Sequence, residues 1–426
     1  MREMKDSGVA WIKEIPSNWK VMPNKHLMNK IKTIRDKYLG EDVLSLTMRG
    51  VLVRDLDNPM GKMPATFDGY QYVEAGNLLM CLFDIDVTPR CIGLISNNGV
   101  CSPAYSQFKL KSIADAEYYY YYYLNLDYTK ELLHLAKNLR HSLTEEQFGL
   151  IPTVVPPLEA QKKISTFLKA KTSQVDSLIS NVQSQIEKLK AYKQSLITEV
   201  VTKGLDPNVE MKGSGVEWIG DLPKHYKYIK SFYVCEKIGD IDHYMPQSVA
   251  EGYPYVMTGD LKSLVSNIDF KSCKKISLND FSKLSKKIIP EKGDVIFARY
   301  ATIGNVCYVD VNIEFLVSYS CVTIKPKKNV IVGKYLWYYY QSNTFMEEVK
   351  FFINANTQGN VGVDALNKTK LIVPPLNEQI KNIQFLDIKC SQIEQLISIK
   401  QLKIAKLEQY KRSIIYEYVT GKKEVS

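Results

Sequence analysis

One stretch of the chain, Pro156 to Gly204, is written a second time from Pro374 to the C-terminus. Pro156-Pro157-Leu158, Gln161, Phe167-Leu168, Leu178-Ile179, Leu189, Tyr192-Lys193 and Ser195 return as Pro374-Pro375-Leu376, Gln379, Phe385-Leu386, Leu396-Ile397, Leu407, Tyr410-Lys411 and Ser413, each displaced by 218 positions. Adjacent prolines are tolerated at or before a helix start but not inside a helix, so each copy predicts a helix beginning near Leu158 or Leu376. Lys203-Gly204, with Pro207 beyond, suits the far end of the first. Between these limits Leu168, Val175, Val182, Leu189 and Leu196 recur every seven residues, with Leu178, Ile179, Ile186 and Tyr192 beside them. Leu386, Ile393, Lys400, Leu407 and Ile414 repeat the register, with Leu396, Ile397, Ile404 and Tyr410 alongside, and only Lys400 breaks it. Sevenfold apolar spacing marks a coiled-coil seam. A helix of about 45 residues is roughly 65 Å long, and two such seams in one chain most simply bury each other.

A second repeat precedes each helix. Met4-Lys5-Asp6-Ser7-Gly8-Val9-Ala10-Trp11-Ile12, with Pro16 and Trp19, returns as Met211-Lys212-Gly213-Ser214-Gly215-Val216-Glu217-Trp218-Ile219, with Pro223 and Tyr226, displaced by 207. The chain therefore reads as two tandem copies of one unit: lead-in segment, globular part, long helix. Single cores rarely grow past about 250–300 residues, so 426 residues also call for more than one domain. In the first globular part, strand-like runs at 42–47, 77–82 and 92–96 precede a helix candidate opened by Tyr118 to Tyr123. In the second, runs at 255–260, 293–299 and 317–322 precede Tyr335 to Tyr340. The tyrosine runs read as scaffold packing, not as a base-stacking platform. The expected class is α+β, with domains at 1–157 and 211–375 and spacer helices at 158–210 and 376–426.

Composition narrows the function. A net charge of +10 and a pI near 8.9 suit a polyanionic partner. The eight cysteines are scattered, with no Cys-x-x-Cys pair, and read as buried thiols of a reducing cytosol; no metal or cofactor is expected. The charged start is not followed by an apolar signal core, and no run of about 18 apolar residues occurs, so a cytoplasmic protein outside the membrane is expected.

The Gly-Val-x-Trp-Ile lead-in, the Pro-Pro-Leu-x-x-Gln helix start and the Leu-x-x-Tyr-Lys-x-Ser helix end, each present twice, resemble the specificity subunit of type I restriction-modification systems. The likeness runs the full length of the chain. It implies two target-recognition domains separated by an antiparallel coiled coil, each domain reading one half of a bipartite, asymmetric site on double-stranded DNA. It further implies docking of two adenine-N6 methyltransferase subunits and of the restriction (motor-nuclease) subunits, with no catalytic residue in this chain. The residues agree. Val155-Pro156-Pro157-Leu158 and Val373-Pro374-Pro375-Leu376 lack the polar and aromatic groups needed to hold a flipped adenine, and no phosphate-cradling Gly-x-x-x-x-Gly-Lys-(Ser/Thr) loop occurs. Helix length would act as a ruler, since one turn changes a spacing by about 5.4 Å.

Base reading needs forked donors and amides on loops. The expected DNA-binding residues are Thr47, Arg49, Ser96, Asn97, Asn98, Tyr105, Arg140 and His141 in the first domain. In the second they are Thr258, Arg299, Tyr300, Thr302, Tyr319, Asn356, Gln358 and Asn360. Asn97-Asn98-Gly99 reads equally as a plain turn. Lys274-Lys275, Lys286-Lys287 and Lys325 to Lys328 are candidates for phosphate, although such runs also make solvated surface. Leu158, Gln161, Leu376 and Gln379, with the exposed helix faces, are the expected partner-binding positions. A rival reading is a coiled-coil scaffold joining two protein-binding modules, which would show no preference among DNA sequences.

Overall fold

The structure is a computed structural model describing residues 2–59, 61, 63–136, 141–300, 302–353 and 359–425. It divides into two compact units, Met1–Gln183 with Leu402–Ser426, and Ser184–Gln401. Helices at Leu158–Lys203 and Leu376–Val419 begin where the proline pairs place them. Gly204 and Gly421 follow in the left-handed region, at φ +78° and +72°. A Cβ on Gly204 would also lie 2.4 Å from the Tyr226 hydroxyl, so glycine is required there twice over.

Along the first helix Gln161, Ser165, Leu168, Thr172, Val175, Val182 and Ile186 are buried, spaced by fours and threes as a coiled-coil seam demands. Lys400 sits half-buried in the seam of the second unit, where its ammonium donates to Gln185 Oε1 at 2.6 Å. The flanking positions differ from expectation: Leu178, Tyr192, Leu396 and Tyr410 are all exposed. Each precedes a buried or half-buried residue by one position, which turns its side chain about 100° away. In each unit the paired helix segments run antiparallel. In the first, Asp176 bonds Lys411 and the Phe167 ring lies 4.4 Å from that of Tyr418. In the second, Lys193 pairs with Glu394, and Asn382 donates to the Val200 carbonyl.

Each unit is built on a four-stranded antiparallel sheet of one strand order. In the first unit it runs Ile92–Leu94, Leu78–Met80, Ser106–Leu110, Met28–Ile31. In the second it runs Val306–Tyr308, Val295–Ala298, Cys321–Pro326, Cys235–Gly239. What is added to that frame differs. The first unit carries a hairpin, Leu44–Thr47 with Gly50–Val53. The second carries a strand pairing of mixed direction, Tyr253–Val256 parallel to Leu316–Val317 and antiparallel to Lys274–Ile276, plus a Leu278–Leu284 helix.

The tyrosine runs fall in helices Ala116–Thr129 and Gly333–Gln341 and pack as core. More than one face is buried: Tyr118, Tyr119, Tyr121, Tyr122 and Tyr123 are all inside. Enclosure from several sides calls for polar partners for the hydroxyls, and the long helices supply some of them, while those of Tyr122 and Tyr340 are left without one among the described residues. Tyr118 donates to the Val419 carbonyl and Tyr335 to that of Val201, both at 2.8 Å.

All eight cysteines are free and buried. Burial pushes the thiols of Cys91, Cys101, Cys235, Cys307 and Cys321 up to about 12. Because the thiolate is the reactive form, an aromatic disulfide reagent at mildly alkaline pH is expected to leave the native chain untouched and to titrate all eight thiols after denaturation. Rapid labelling of the native chain would contradict this packing.

Candidate nucleic-acid interface

In the second unit the strand Val295–Ala298 delivers Arg299 to the rim of the sheet. The backbone there is tied on both sides: Arg299 N donates to the Ser320 carbonyl, and Val361 N to that of Arg299. Tyr300 bridges to Asn360, and Thr302 N donates to the Tyr300 carbonyl. Five predicted residues, Arg299, Tyr300, Thr302, Tyr319 and Asn360, are thereby gathered at one edge. Thr258 follows the strand that pairs with Leu316–Val317, and Ser318 N bonds the Val256 carbonyl.

The Arg299 side chain is not a free reader. It is 5% exposed, donating through Nε to the Tyr319 carbonyl at 3.1 Å and through Nη2 to Asp240 Oδ2 at 2.6 Å. Its Cζ lies 4.7 Å from the centre of the Tyr300 ring. His243 Nε2 is 2.8 Å from Nη2. The same nitrogen lies 3.2 Å from Asp240 Oδ2, so the imidazole sits between the guanidinium and the carboxylate. The His243 ring also stacks on Tyr319, centroids 5.1 Å apart, and Lys287 reaches Asp240 at 3.3 Å. The buried guanidinium thus orients three rings, Tyr300, Tyr319 and His243, instead of projecting toward solvent. Sequence reasoning missed Asp240 and His243, and named Lys287 as a phosphate candidate, whereas its ammonium pairs with Asp240. The run Asp240-Ile241-Asp242-His243, directly after a strand, was the available signal.

In the first unit Arg49 is exposed at the tip of the Leu44–Thr47/Gly50–Val53 hairpin. Thr47 closes that tip, its Oγ1 donating to the Gly50 carbonyl and accepting from Arg49 N. Ser96, Asn97 and Asn98 form an exposed turn, in which Asn98 Oδ1 accepts from Ala75 N. Tyr105 is half-buried with its ring stacked on Phe83, and burial pushes its phenol up. His141 adopts φ +44°, and its carbonyl accepts from Ile85 N. The Phe83–Ile85 loop therefore joins Tyr105 and His141. Arg140, Asn356 and Gln358 lie outside the described residues.

Two sets of expected contacts are corrected. Gln161 and Gln379 are fully buried and cannot face a partner. Gln161 accepts from Asp115 N and donates to the carbonyls of Ile113 and Pro156. Gln379 does the same with Val332 N, Val330 and Pro374. Each latches the start of a long helix to the start of a tyrosine helix. Leu158 and Leu376 remain half-buried at those helix starts. Lys325 is held by Asp294 and Glu291 at 3.0 and 3.1 Å, and so is not free for phosphate. Burial raises the Asp294 carboxyl against the pull of that lysine.

A model of the family described as type I restriction modification DNA specificity domain matches residues 89–188 and 237–409, more than half of the chain. The chain belongs to that family. Among its relatives, the type I restriction enzyme MjaVIII specificity subunit of Methanocaldococcus jannaschii is 24% identical over 285 residues, 65% of this chain and 63% of that protein. The putative type I restriction enzyme MjaX specificity subunit of the same organism is 23% identical over 296 residues, 66% of this chain and 61% of that one. The match thus spans a little over three fifths of either relative's length. A solved chain, reported under the assembly and conformational transition of the type I R-M system, shares the fold with a TM-score of 0.68 at 15% identity, covering 95% of this chain and 98% of its own. The family's description ties it to DNA specificity. Among the described residues no helix is long and apolar enough to cross a membrane, and no group of three or more His, Cys, Asp or Glu is placed to hold a metal ion.

Proposed function

We propose that this chain is the cytoplasmic DNA sequence-specificity subunit of a type I restriction-modification complex, reading a bipartite, asymmetric duplex target with one half-site per domain. The recognition domains would be 1–157 and 211–375, and the helices 158–210 and 376–426 would space them. One observation carries the reading: the same four-strand frame occurs twice but holds different rim structures, a hairpin in one unit and the Arg299 cluster in the other. Unlike rims on a like frame suit unlike half-sites. Phosphate contacts would supply salt-sensitive affinity, while Arg49, the Ser96–Asn98 turn, Tyr300, Thr302 and Asn360 are the exposed or rim groups for base edges. The outward helix positions, with Leu158 and Leu376, would dock two adenine-N6 methyltransferase subunits, and the assembled complex would recruit the restriction subunits.

The test is a map of methylated adenines in the host genome with and without this chain. One two-part motif with a fixed gap is expected to vanish on deletion. Loss of no motif defeats the proposal and leaves the scaffold reading in its place.

A further inference from the structure

The second unit has a surface that the first lacks. Across the strand pair Lys227–Lys230 and Lys370–Val373, Lys230 stands directly opposite Lys370. Like charges facing each other on one strand pair are destabilising; the Lys370 ammonium turns onto the Tyr228 ring, 5.1 Å from its centre, and Lys230 is left for an anion. Just beyond, Phe232 and Tyr233 are each 62% exposed, rings edge to face at 5.5 Å. They line a groove of about 730 Å³ that also includes Lys368 and Lys327. Among the described residues none of Lys230, Lys368 and Lys370 is in an ion pair. In the first unit the corresponding cross-strand pair is Pro23 and Pro152, and Lys25-His26 stand where Phe232-Tyr233 do, so the shared frame does not require the patch.

Exposed aromatic anchors ringed by cations match an acidic protein segment carrying an apolar side chain. Duplex DNA fits less well. Glu236 and Asp364 interrupt the cations of the groove and repel any anion set against them, so it suits a segment with spaced carboxylates between apolar residues better than an unbroken phosphate run. The groove also runs along the strand from Cys235 to Ile238, while Asp240, Arg299 and Tyr319 gather beyond Gly239 and Cys321. Moreover, Lys370–Val373 runs directly into Pro374 and the long helix, the segment assigned above to partner docking.

We propose that this groove docks an acidic segment of the methyltransferase subunit, its carboxylates against Lys230 and Lys368, with Lys370 across the strand pair at the groove's edge, and an apolar side chain against Phe232 and Tyr233. The assignment rests on the specificity-subunit reading. The test uses the full chain as wild type, K230E/K370E, F232A/Y233A and the conservative K230R/K370R. Affinity is measured for the purified methyltransferase subunit at low and high salt, and separately for target duplex. All these side chains are exposed, so melting temperatures are expected to be unchanged. Charge reversal and aromatic truncation should each weaken methyltransferase binding about tenfold or more, a loss of about 1.4 kcal/mol, while the arginine variant stays within about twofold and duplex affinity holds. Unchanged methyltransferase binding in both disruptive variants overturns the assignment. So does a loss confined to duplex binding, which would mark a nucleic-acid surface. Wild-type chain that binds neither duplex nor methyltransferase instead defeats the specificity-subunit reading.

Discussion

Arg299→Ala is expected to cost the second unit about 3–5 kcal/mol of unfolding free energy, because it strands a buried carboxylate. Asp240 is 8% exposed and its shortest ion pair is the 2.6 Å contact with Arg299 Nη2. Lys287 at 3.3 Å is itself half exposed and compensates only in part. The Tyr319 carbonyl would also lose its donor at 3.1 Å. Denaturant titration of the intact chain reads the loss. A double replacement, Arg299→Met with Asp240→Leu, removes both charges and should restore most of the stability, since an apolar pair of similar volume is often neutral relative to a buried ion pair. Duplex binding should separate the two roles. The double variant would fold but no longer hold the rings of Tyr300, Tyr319 and His243 in place, so sequence preference at one half-site is expected to stay impaired. A single variant as stable as wild type would show that the guanidinium is not the organising group of this edge.

The second large effect is expected at the buried glutamines. Gln379→Leu removes the acceptor for Val332 N at 2.8 Å and the donor to the carbonyls of Val330 and Pro374, at 3.0 and 2.8 Å. Each buried polar group left unpaired costs about 1–3 kcal/mol, so a total of about 3 kcal/mol or more is expected, and Gln161→Leu should match it in the first unit. Gln379→Glu sharpens the test through pH. A carboxylate can accept from Val332 N but has no proton for either carbonyl, so burial would raise its folded-state pKa above the unfolded value. Its stability contribution is then present at pH below the ordinary glutamate range and lost as pH rises through the raised folded value. Denaturant midpoints that do not change with pH in this variant would contradict the latch.

The candidate edge was only half legible. Arg299, Tyr300, Thr302, Tyr319 and Asn360 could be nominated because forked donors, amides and aromatics after a strand are the usual equipment for reading bases. Nothing local announced that Arg299 would be spent on Asp240, 59 positions earlier, or that His243 would lie beside it across 56. Gln161 and Gln379 show the opposite error. Their repetition marked them as shared parts, and repetition alone says nothing about which way a side chain faces. The tyrosine runs were legible as core in kind but not in extent, since six like residues in a row carry no periodicity by which to divide buried from exposed faces.

The amino-acid sequence determined the duplication, the two long helices with their starts at Leu158 and Leu376, the glycine at the first helix end, and most of the apolar seam. These follow from rules acting within a few residues: proline cannot continue a helix, glycine accepts positive φ, and sevenfold spacing lines one helical face. The tertiary structure decided that Leu178 and Tyr192 face outward while Val175, Val182 and Ile186 are buried, that two glutamines are latches, and that an arginine orders an edge from beneath it. Those outcomes depend on which distant backbone groups and charges arrive beside a side chain. A buried donor must find its acceptor wherever the fold brings one, and that partner is set by packing across tens to hundreds of residues.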